Sequence, residues 1–111
     1  MQYALLIHTE PATPDAPSDQ ADDAAFAAYT DLAEDPRYVS GAGLESADTA
    51  TCVRVDGGRT LMTDGPFADT KEILGGICII EAADLDEAID FATRVLAARD
   101  GVIEIRPVST R

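Results

Sequence analysis

Two short segments of the chain carry apolar side chains on both of their faces. The first is QYALLIH at residues 2–8, and the second is GGICIIE at residues 75–81. Successive side chains of a strand point to opposite faces of its sheet. A strand of this kind therefore needs apolar cover on both sides. The chain therefore has to build a sheet with apolar cover on both of its faces. This requirement limits the fold more than any other feature of the sequence.

Two helices are predicted from apolar side chains that recur at intervals of three and four. The first helix, residues 18–34, begins at a Ser18 or Asp19 cap and ends before Pro36. Its apolar stripe consists of Ala25, Phe26, Tyr29, Leu32 and Ala33. The second helix opens at Asp84 with a capping-box pattern that includes Glu87. Its predicted stripe consists of Leu85, Ala88, Ile89, Ala92, Val95 and Leu96.

Further strands are predicted around these helices. Residues 49–55 and 59–63 flank Asp56-Gly57-Gly58 and form a hairpin. Residues 38–44 form a short strand in which two glycines indicate a bulge or a close backbone approach. Residues 102–108 form the last strand, and Pro107 places it at an edge or a strand end.

The order of elements is β-α-β, an inserted hairpin, and β-α-β. The 111 residues form one domain, residues 1–111. Two split units of this kind predict a ferredoxin-like α+β fold, an antiparallel sheet with both helices on one face. The other face is also apolar, as Ala4, Leu6, Ile77 and Ile79 show. A second copy of the same sheet is the simplest cover, so we expect a homodimer.

Charge and composition exclude several classes of function. The 21 acidic and 8 basic residues give a net charge of −13. This charge repels nucleic acid and anionic lipid, so neither is an expected partner. The N-terminus lacks the basic start and long apolar run of a signal peptide, and the two cysteines form no disulfide framework, so we expect a cytoplasmic protein.

The chain also lacks the residue patterns of common cofactor sites. One histidine and two separated cysteines make no zinc site, and the carboxylates lack the spacing of a metal-binding loop. The short Gly41-Ala42-Gly43 run is not a phosphate-binding loop, and no Gly-x-Ser-x-Gly elbow is present. We therefore expect neither a metal nor a cofactor.

The segment TDGPFADTKE, residues 63–72, is the most distinctive candidate for a site. Gly65 can adopt a positive φ, Pro66 fixes the next φ, and the direction of Phe67 is then restricted. We expect these three residues to connect two strands rigidly and to line a ligand cleft. Asp64 could orient an imidazole, accept a proton or bind a ligand donor; alternatively, its carboxylate closes an Asx-turn over Gly65.

His8 is the only histidine of the chain. An imidazole titrates near neutral pH, as a general acid or base must. At the end of the first strand, His8 could line the mouth of a cleft. The alternative is a half-exposed strand-end residue without a chemical role.

Three basic side chains, Arg54, Lys71 and Arg106, are expected to contact the ligand if it is anionic. Structural ion pairs are the alternative for each of them. Arg54 shares a strand face with Cys52, and a guanidinium among apolar neighbours takes a carboxylate partner from the protein or from a ligand.

The run DGPF at residues 64–67, followed by ADTKE at 68–72 and LGG at 74–76, resembles the motif of the DGPF proteins in the YCII-related family. Three further segments match the same pattern: TCVR at 51–54, LDEA at 85–88 and EIRPV at 104–108. The resemblance implies a dimeric ferredoxin-like fold, also called a dimeric α/β barrel. It also implies a cleft with a histidine–aspartate acid/base pair, and genes that neighbour those of extracytoplasmic-function sigma factors.

One departure from the family pattern affects this expectation. Relatives of the YCII type carry their histidine in the first helix, and residues 18–34 contain none. The family pair therefore does not transfer as it stands. Two hypotheses follow: a small-molecule-binding homodimer with lyase or isomerase chemistry at His8 or Asp64, or a non-catalytic ligand-binding or regulatory dimer in a sigma-factor pathway.

Overall fold

The structure is a computed structural model and describes residues 1–9, 32–66, 73–96 and 101–110. This part of the chain contains six strands, one full α-helix and a short 3-10 turn, Ala47–Thr49. The strands are β1 (Gln2–Thr9), β2 (Tyr38–Gly43), β3 (Thr51–Asp56), β4 (Arg59–Asp64), β5 (Ile73–Glu81) and β6 (Val102–Pro107). The helix, α1, spans Leu85–Leu96.

The main sheet has the strand order β2-β5-β1-β6, and each neighbouring pair is antiparallel. This α+β arrangement is consistent with the predicted ferredoxin-like fold. The prediction that residues 75–81 form a central strand is confirmed. The edge position expected from Pro107 is also confirmed, because β6 pairs with β1 at the end of the sheet.

The predicted hairpin is confirmed as a separate two-stranded sheet of β3 and β4. Its turn residues, Gly57 and Gly58, have φ of 56° and 81°. Two positive φ values are typical of the tight type I′ turn, whose twist matches that of the strands. Every hairpin strand residue except Cys52 is exposed.

The hydrophobic core lies between α1 and one face of the main sheet. Tyr3 and Leu5 from β1 lie opposite Ile80 and Cys78 of β5, and all four side chains are buried. The core side of the helix consists of Ala88, Phe91 and Ala92, with Val95 packed beside them.

The predicted stripe of this helix was wrong in part. Leu85 and Ile89 are 50% and 45% exposed, while Phe91 is almost fully buried. Both stripes satisfy a helical period, and the orientation of the large Phe91 ring toward the sheet distinguishes them.

The predicted capping box at the start of α1 is confirmed in outline. The backbone N–H of Glu87 donates to Asp84 Oδ1 at 2.9 Å. In return, Glu87 Oε2 accepts from the backbone N–H of Ala83 at 3.1 Å, one residue before the usual donor.

The first predicted helix, residues 18–34, lies almost entirely outside the described residues. Leu32 and Ala33 are helical, and Leu32 is buried in the core. The bulge in β2 falls at Val39, between Tyr38 and Ser40, and not at a glycine. The close backbone approach, which was the alternative, is found at Gly43, whose Cα lies 4.0 Å from a Cβ atom added at Gly76. No described helix has the length and apolar character that would let it cross a membrane.

Candidate functional site

One face of the main sheet points away from α1, and we call it the open face. On β5, Cys78 and Ile80 face the core, so Ile77 and Ile79 face the other way. On β6, Ile103 and Ile105 pack on the core, so Val102, Glu104 and Arg106 face away from it. By the pairing register, the open face includes Ala4, Leu6 and His8 from β1, Leu74, Ile77 and Ile79 from β5, and Val102, Glu104 and Arg106 from β6.

His8 lies at one end of this open face, near the end of β1, as the sequence predicted. It pairs with Leu74 of β5 and with Val102 of β6, and its side chain is partly buried. A bulge in β5 at this position brings Thr9 beside Gly75. The imidazole thus stands between two apolar neighbours at the end of the sheet.

The start of β6 approaches His8 closely at Gly101. A Cβ atom added at Gly101 would lie 2.5 Å from the carbonyl oxygen of His8. Only a residue without a side chain fits this position without a shift of the backbone. Gly101 therefore fixes where β6 begins beside His8.

The described part of the turn after β4 is hydrogen-bonded to the base of the hairpin. Asp64 is the last residue of β4 and pairs with Thr51. Gly65 has a φ of 99°, which confirms the positive value expected there. Its backbone N–H donates to the carbonyl oxygen of Ala50 at 2.8 Å, and its own carbonyl oxygen accepts from Cys52 Sγ at 3.2 Å. Pro66 follows, while Phe67 and Lys71 lie outside the described residues.

His8 and Asp64 belong to two separate sheets, so the fold does not make them neighbours in one strand ladder. The segment that leads to the hairpin nevertheless contacts β5, the strand that pairs with β1. The 3-10 turn at the hairpin base contacts β5, and Leu44 donates to the carbonyl oxygen of Gly75 at 2.9 Å. The beginning of β5 thus has His8 and Thr9 of β1 on one side, and the segment of residues 44–49 that leads to the hairpin on the other.

The two described basic candidates lie on different elements. Arg54 is on β3, opposite Leu61 and on the same hairpin face as Cys52, as predicted. Arg106 is on β6, opposite Ala4, and its Nε lies 3.9 Å from Glu104 Oε2. Arg106 therefore shares the open face with His8, and Arg54 does not.

Glu104 is a further charged residue of the open face, and the sequence did not single it out. Its place between Ile103 and Ile105 already predicts that it faces away from the core. The pairing of β6 with β1 adds that it shares the open face with His8. This pairing joins residues about a hundred positions apart, and the alternation of side chains within one strand does not predict it.

The described residues include no group of three or more histidine, cysteine or acidic side chains arranged to hold a metal ion. Both cysteines are unpaired thiols. Burial raises the pKa of the Cys78 thiol to about 11, so it remains protonated and unreactive at neutral pH.

Comparison with known proteins agrees with the resemblance seen in the sequence. The model of the YCII-related domain matches residues 1–110. An uncharacterized protein of Rhizobium meliloti (strain 1021) is 35% identical over 118 residues, which cover 98% of this chain and 93% of that protein. The similarity extends over the whole domain, including both sheets and the turn after β4.

Proposed function

We propose, from the premise that the chain belongs to the YCII-related family, that it is a cytoplasmic homodimer that binds a small anionic organic molecule beside His8 and transfers a proton there. The observation that carries this proposal is the position of the only histidine at the end of a mostly apolar sheet face that no described helix covers. Apolar walls with a few polar groups are typical of small-molecule sites. The two unpaired cysteines suit a reducing compartment.

The homodimer is supported by the exposure of the open face. Leu74, Ile77 and Val102 are between 37% and 48% exposed, although each lies within a regular strand. A second copy, related by a two-fold axis, would cover these side chains with the same side chains of its own sheet. Helices over the outer faces, including the one predicted at residues 18–34, would then complete a dimeric α/β barrel.

The hairpin supports the same assembly. Val53, Val55 and Met62 share one of its faces and are between 63% and 73% exposed. An isolated two-stranded hairpin is marginally stable in water. Contact with a partner copy would bury this apolar face and stabilise the hairpin.

In the proposed site, His8 is the general acid or base of a lyase or isomerase reaction. Arg54 and Lys71 hold the anionic group of the ligand, and Gly65, Pro66 and Phe67 form the wall of the cleft. Asp64 is the second proton-transfer candidate. In a dimer, the hairpin could bring Arg54 and Asp64 to the open face of its own protomer or of the partner.

The second candidate function is a ligand-binding or regulatory dimer without catalysis, in a sigma-factor pathway. Two observations favour it: residues 18–34 contain no histidine, and His8 and Asp64 lie in separate sheets. The same open face would bind the ligand, and no proton would be transferred.

A thermal-shift screen against small carboxylic acids and phenols tests the binding proposal. A ligand at a hundred times its Kd stabilises the folded state by about 2.7 kcal/mol, which raises Tm measurably. We expect His8→Ala to abolish the shift while the unliganded Tm stays close to that of the wild type. Asp64→Asn tests the second proton-transfer candidate in the same way. If no acid or phenol raises Tm, the binding proposal is wrong.

Deuterium exchange into a bound ligand separates the two functions. In D2O, a proton-transferring site labels the ligand carbon that it deprotonates, and mass spectrometry detects the label. Labelling that is lost in His8→Ala supports the catalytic function. Binding without labelling supports the regulatory dimer.

A further inference from the structure

We infer that the candidate site is shared between two protomers, and that the hairpin of one copy places Asp64 on the open face of its partner. This inference rests on the homodimer and the binding site proposed above. It decides which protomer supplies Asp64, and the two faces of the hairpin carry the argument.

The two faces of the hairpin carry different side chains. One face consists of three directly paired couples: Thr51 with Asp64, Val53 with Met62, and Val55 with Thr60. Directly paired residues of antiparallel strands share a face, and so do alternate residues of one strand. Asp64 therefore lies at the base of the apolar hairpin face. Arg54 lies on the opposite face and can reach a ligand on the apolar side only around the edge of the hairpin.

The described part of the protomer does not cover this apolar face. Val53, Val55 and Met62 are between 63% and 73% exposed, and Asp64 is exposed beside them. None of the described core residues comes from β3 or β4. Since a two-stranded hairpin is only marginally stable by itself, its apolar face needs cover from another molecule.

The shape of the protomer is that of one half of an assembly. Its extents are 45 × 44 × 19 Å, and 19 Å is the thickness of one sheet and one layer of helix. Its radius of gyration is 15.8 Å. A compact chain of this length has a radius of about 13 Å. The protomer is therefore flat, with the open face on one broad side.

The area of the open face identifies a second copy as the partner that the hairpin contacts. Four strands about 4.8 Å apart, each with about six residues at 3.4 Å, span about 400 Å². A stable interface buries about 800 Å² on each partner. The two hairpin strands, of similar length, add about half as much again. Two open faces in contact thus need the hairpins to complete a stable interface.

The open face of the partner also has the charges that Asp64 requires. A carboxylate that leaves water for an apolar surface needs a hydrogen-bond donor or a cation. The open face has both, the imidazole of His8 and the guanidinium of Arg106, whose side chain is 72% exposed. Asp64 would then complete the site in trans, as a second proton-transfer group that one protomer cannot supply to itself.

Carboxylate labelling of the unliganded protein tests this inference. A carbodiimide couples glycine ethyl ester to accessible carboxylates, and trypsin cleavage after Arg54, Arg59 and Lys71 puts Asp56 and Asp64 on separate peptides. Asp56 is the matched control, because it is exposed on the opposite hairpin face. We expect native protein at micromolar concentration to label Asp64 at least about fivefold more slowly than urea-unfolded protein, and Asp56 within about twofold of it.

Two hairpin variants identify the source of this protection. Val53→Asp puts a charge on the apolar face and is expected to raise the dissociation constant of the dimer at least about tenfold. Thr63→Asp puts the same charge on the opposite face and should raise it less than about threefold. Neither residue belongs to the described core, so both variants should keep the circular dichroism of the wild type. In monomeric Val53→Asp, Asp64 should label as fast as Asp56.

Three results would overturn the inference: native Asp64 that labels as fast as Asp56, a dimer that tolerates Val53→Asp as well as Thr63→Asp, and Asp64 that stays protected in a monomer. The last result would mean that the chain's own protomer covers Asp64. All of these measurements use the protein without ligand. A shared interface can therefore be found while the ligand screen fails, and a ligand can be found while the interface is not shared.

Discussion

Arg37 donates hydrogen bonds to both carboxylate oxygens of Asp35, at 2.8 Å and 3.0 Å. The same guanidinium donates to the carbonyl oxygen of Glu87 and to Asp90 on α1, and it lies 5.4 Å from the centroid of the Phe91 ring. Arg37 therefore joins the chain just before β2 to the helix that covers the sheet. A planar fork of five donors is suited to such a junction.

Replacement of Arg37 is expected to destabilise the fold. Arg37→Ala removes both guanidinium hydrogen bonds to the mostly buried Asp35 carboxylate, and we expect a loss of about 2 kcal/mol in the free energy of unfolding. Arg94→Ala is the matched control, because Arg94 bridges the same two acids from a side chain that is 60% exposed; its cost should stay below about 0.5 kcal/mol. Urea unfolding measures both, and equal losses would contradict the role given to Arg37.

The same pair makes stability depend on pH in acid. Hydrogen bonds from Arg37 lower the pKa of Asp35 from 3.8 to about 2. A depressed pKa in the folded state means that this stabilisation is complete above about pH 4 and is lost as the pH falls through 2. The stability difference between wild type and Asp35→Asn should therefore shrink between pH 4 and pH 2. A difference that stays constant across this window in urea titrations would exclude the linkage.

Gly101 is expected to be the least replaceable glycine beside the site. In Gly101→Ala the new methyl group would meet the backbone of His8, which cannot rotate away. We expect a loss of about 1–3 kcal/mol. At Gly75 a Cβ would lie 3.3 Å from the side-chain oxygen Thr9 Oγ1, which can rotate, so Gly75→Ala should cost under about 1 kcal/mol. Equal thermal stability of the two variants would show that β6 does not need to approach His8 so closely.

The two cysteines are expected to differ in reactivity. Cys78 is buried with a pKa of about 11, so roughly one molecule in a thousand carries its thiolate at pH 8. Cys52 is partly exposed on the hairpin. Iodoacetamide at pH 8 should alkylate Cys52 first, and peptide mass spectrometry identifies the site. Both should react in urea, and alkylation of Cys78 at the rate of Cys52 in the native protein would contradict its burial.

Local patterns in the sequence predicted most of the described fold. The turn at Gly57-Gly58 specified the hairpin, the alternation in residues 2–8 specified β1, and Asp84 specified the start of α1. These features depend on neighbours within a few positions. The orientation of α1 depends on which side chain fills the core, and the periodic pattern alone did not identify Phe91 as that residue.

The candidate site was less predictable because it depends on contacts between distant parts of the chain. The sequence identified His8 and the turn at Gly65; the structure places His8 at one end of the main sheet and bonds Gly65 to Ala50, next to the 3-10 turn that contacts β5. The shared sheet face of Glu104 and His8 follows from the register of β6 on β1, which no local pattern specifies. Roles for Phe67 and Lys71 remain predictions from the sequence.

The open face, which no described helix covers, is the feature on which the proposed site depends. The mass of the protein in solution tests the assignment of this face most directly. Light scattering at micromolar concentration should give twice the 11.7 kDa of one chain. Ile77→Arg places a charge in the middle of the open face, and two-fold symmetry places it there twice, so this variant should be monomeric. Ile89→Arg, at a similarly exposed position on α1, should remain dimeric. A wild-type protein with the mass of one chain, or a dimer that survives Ile77→Arg and dissociates in Ile89→Arg, would contradict the assignment of the open face as the dimer interface.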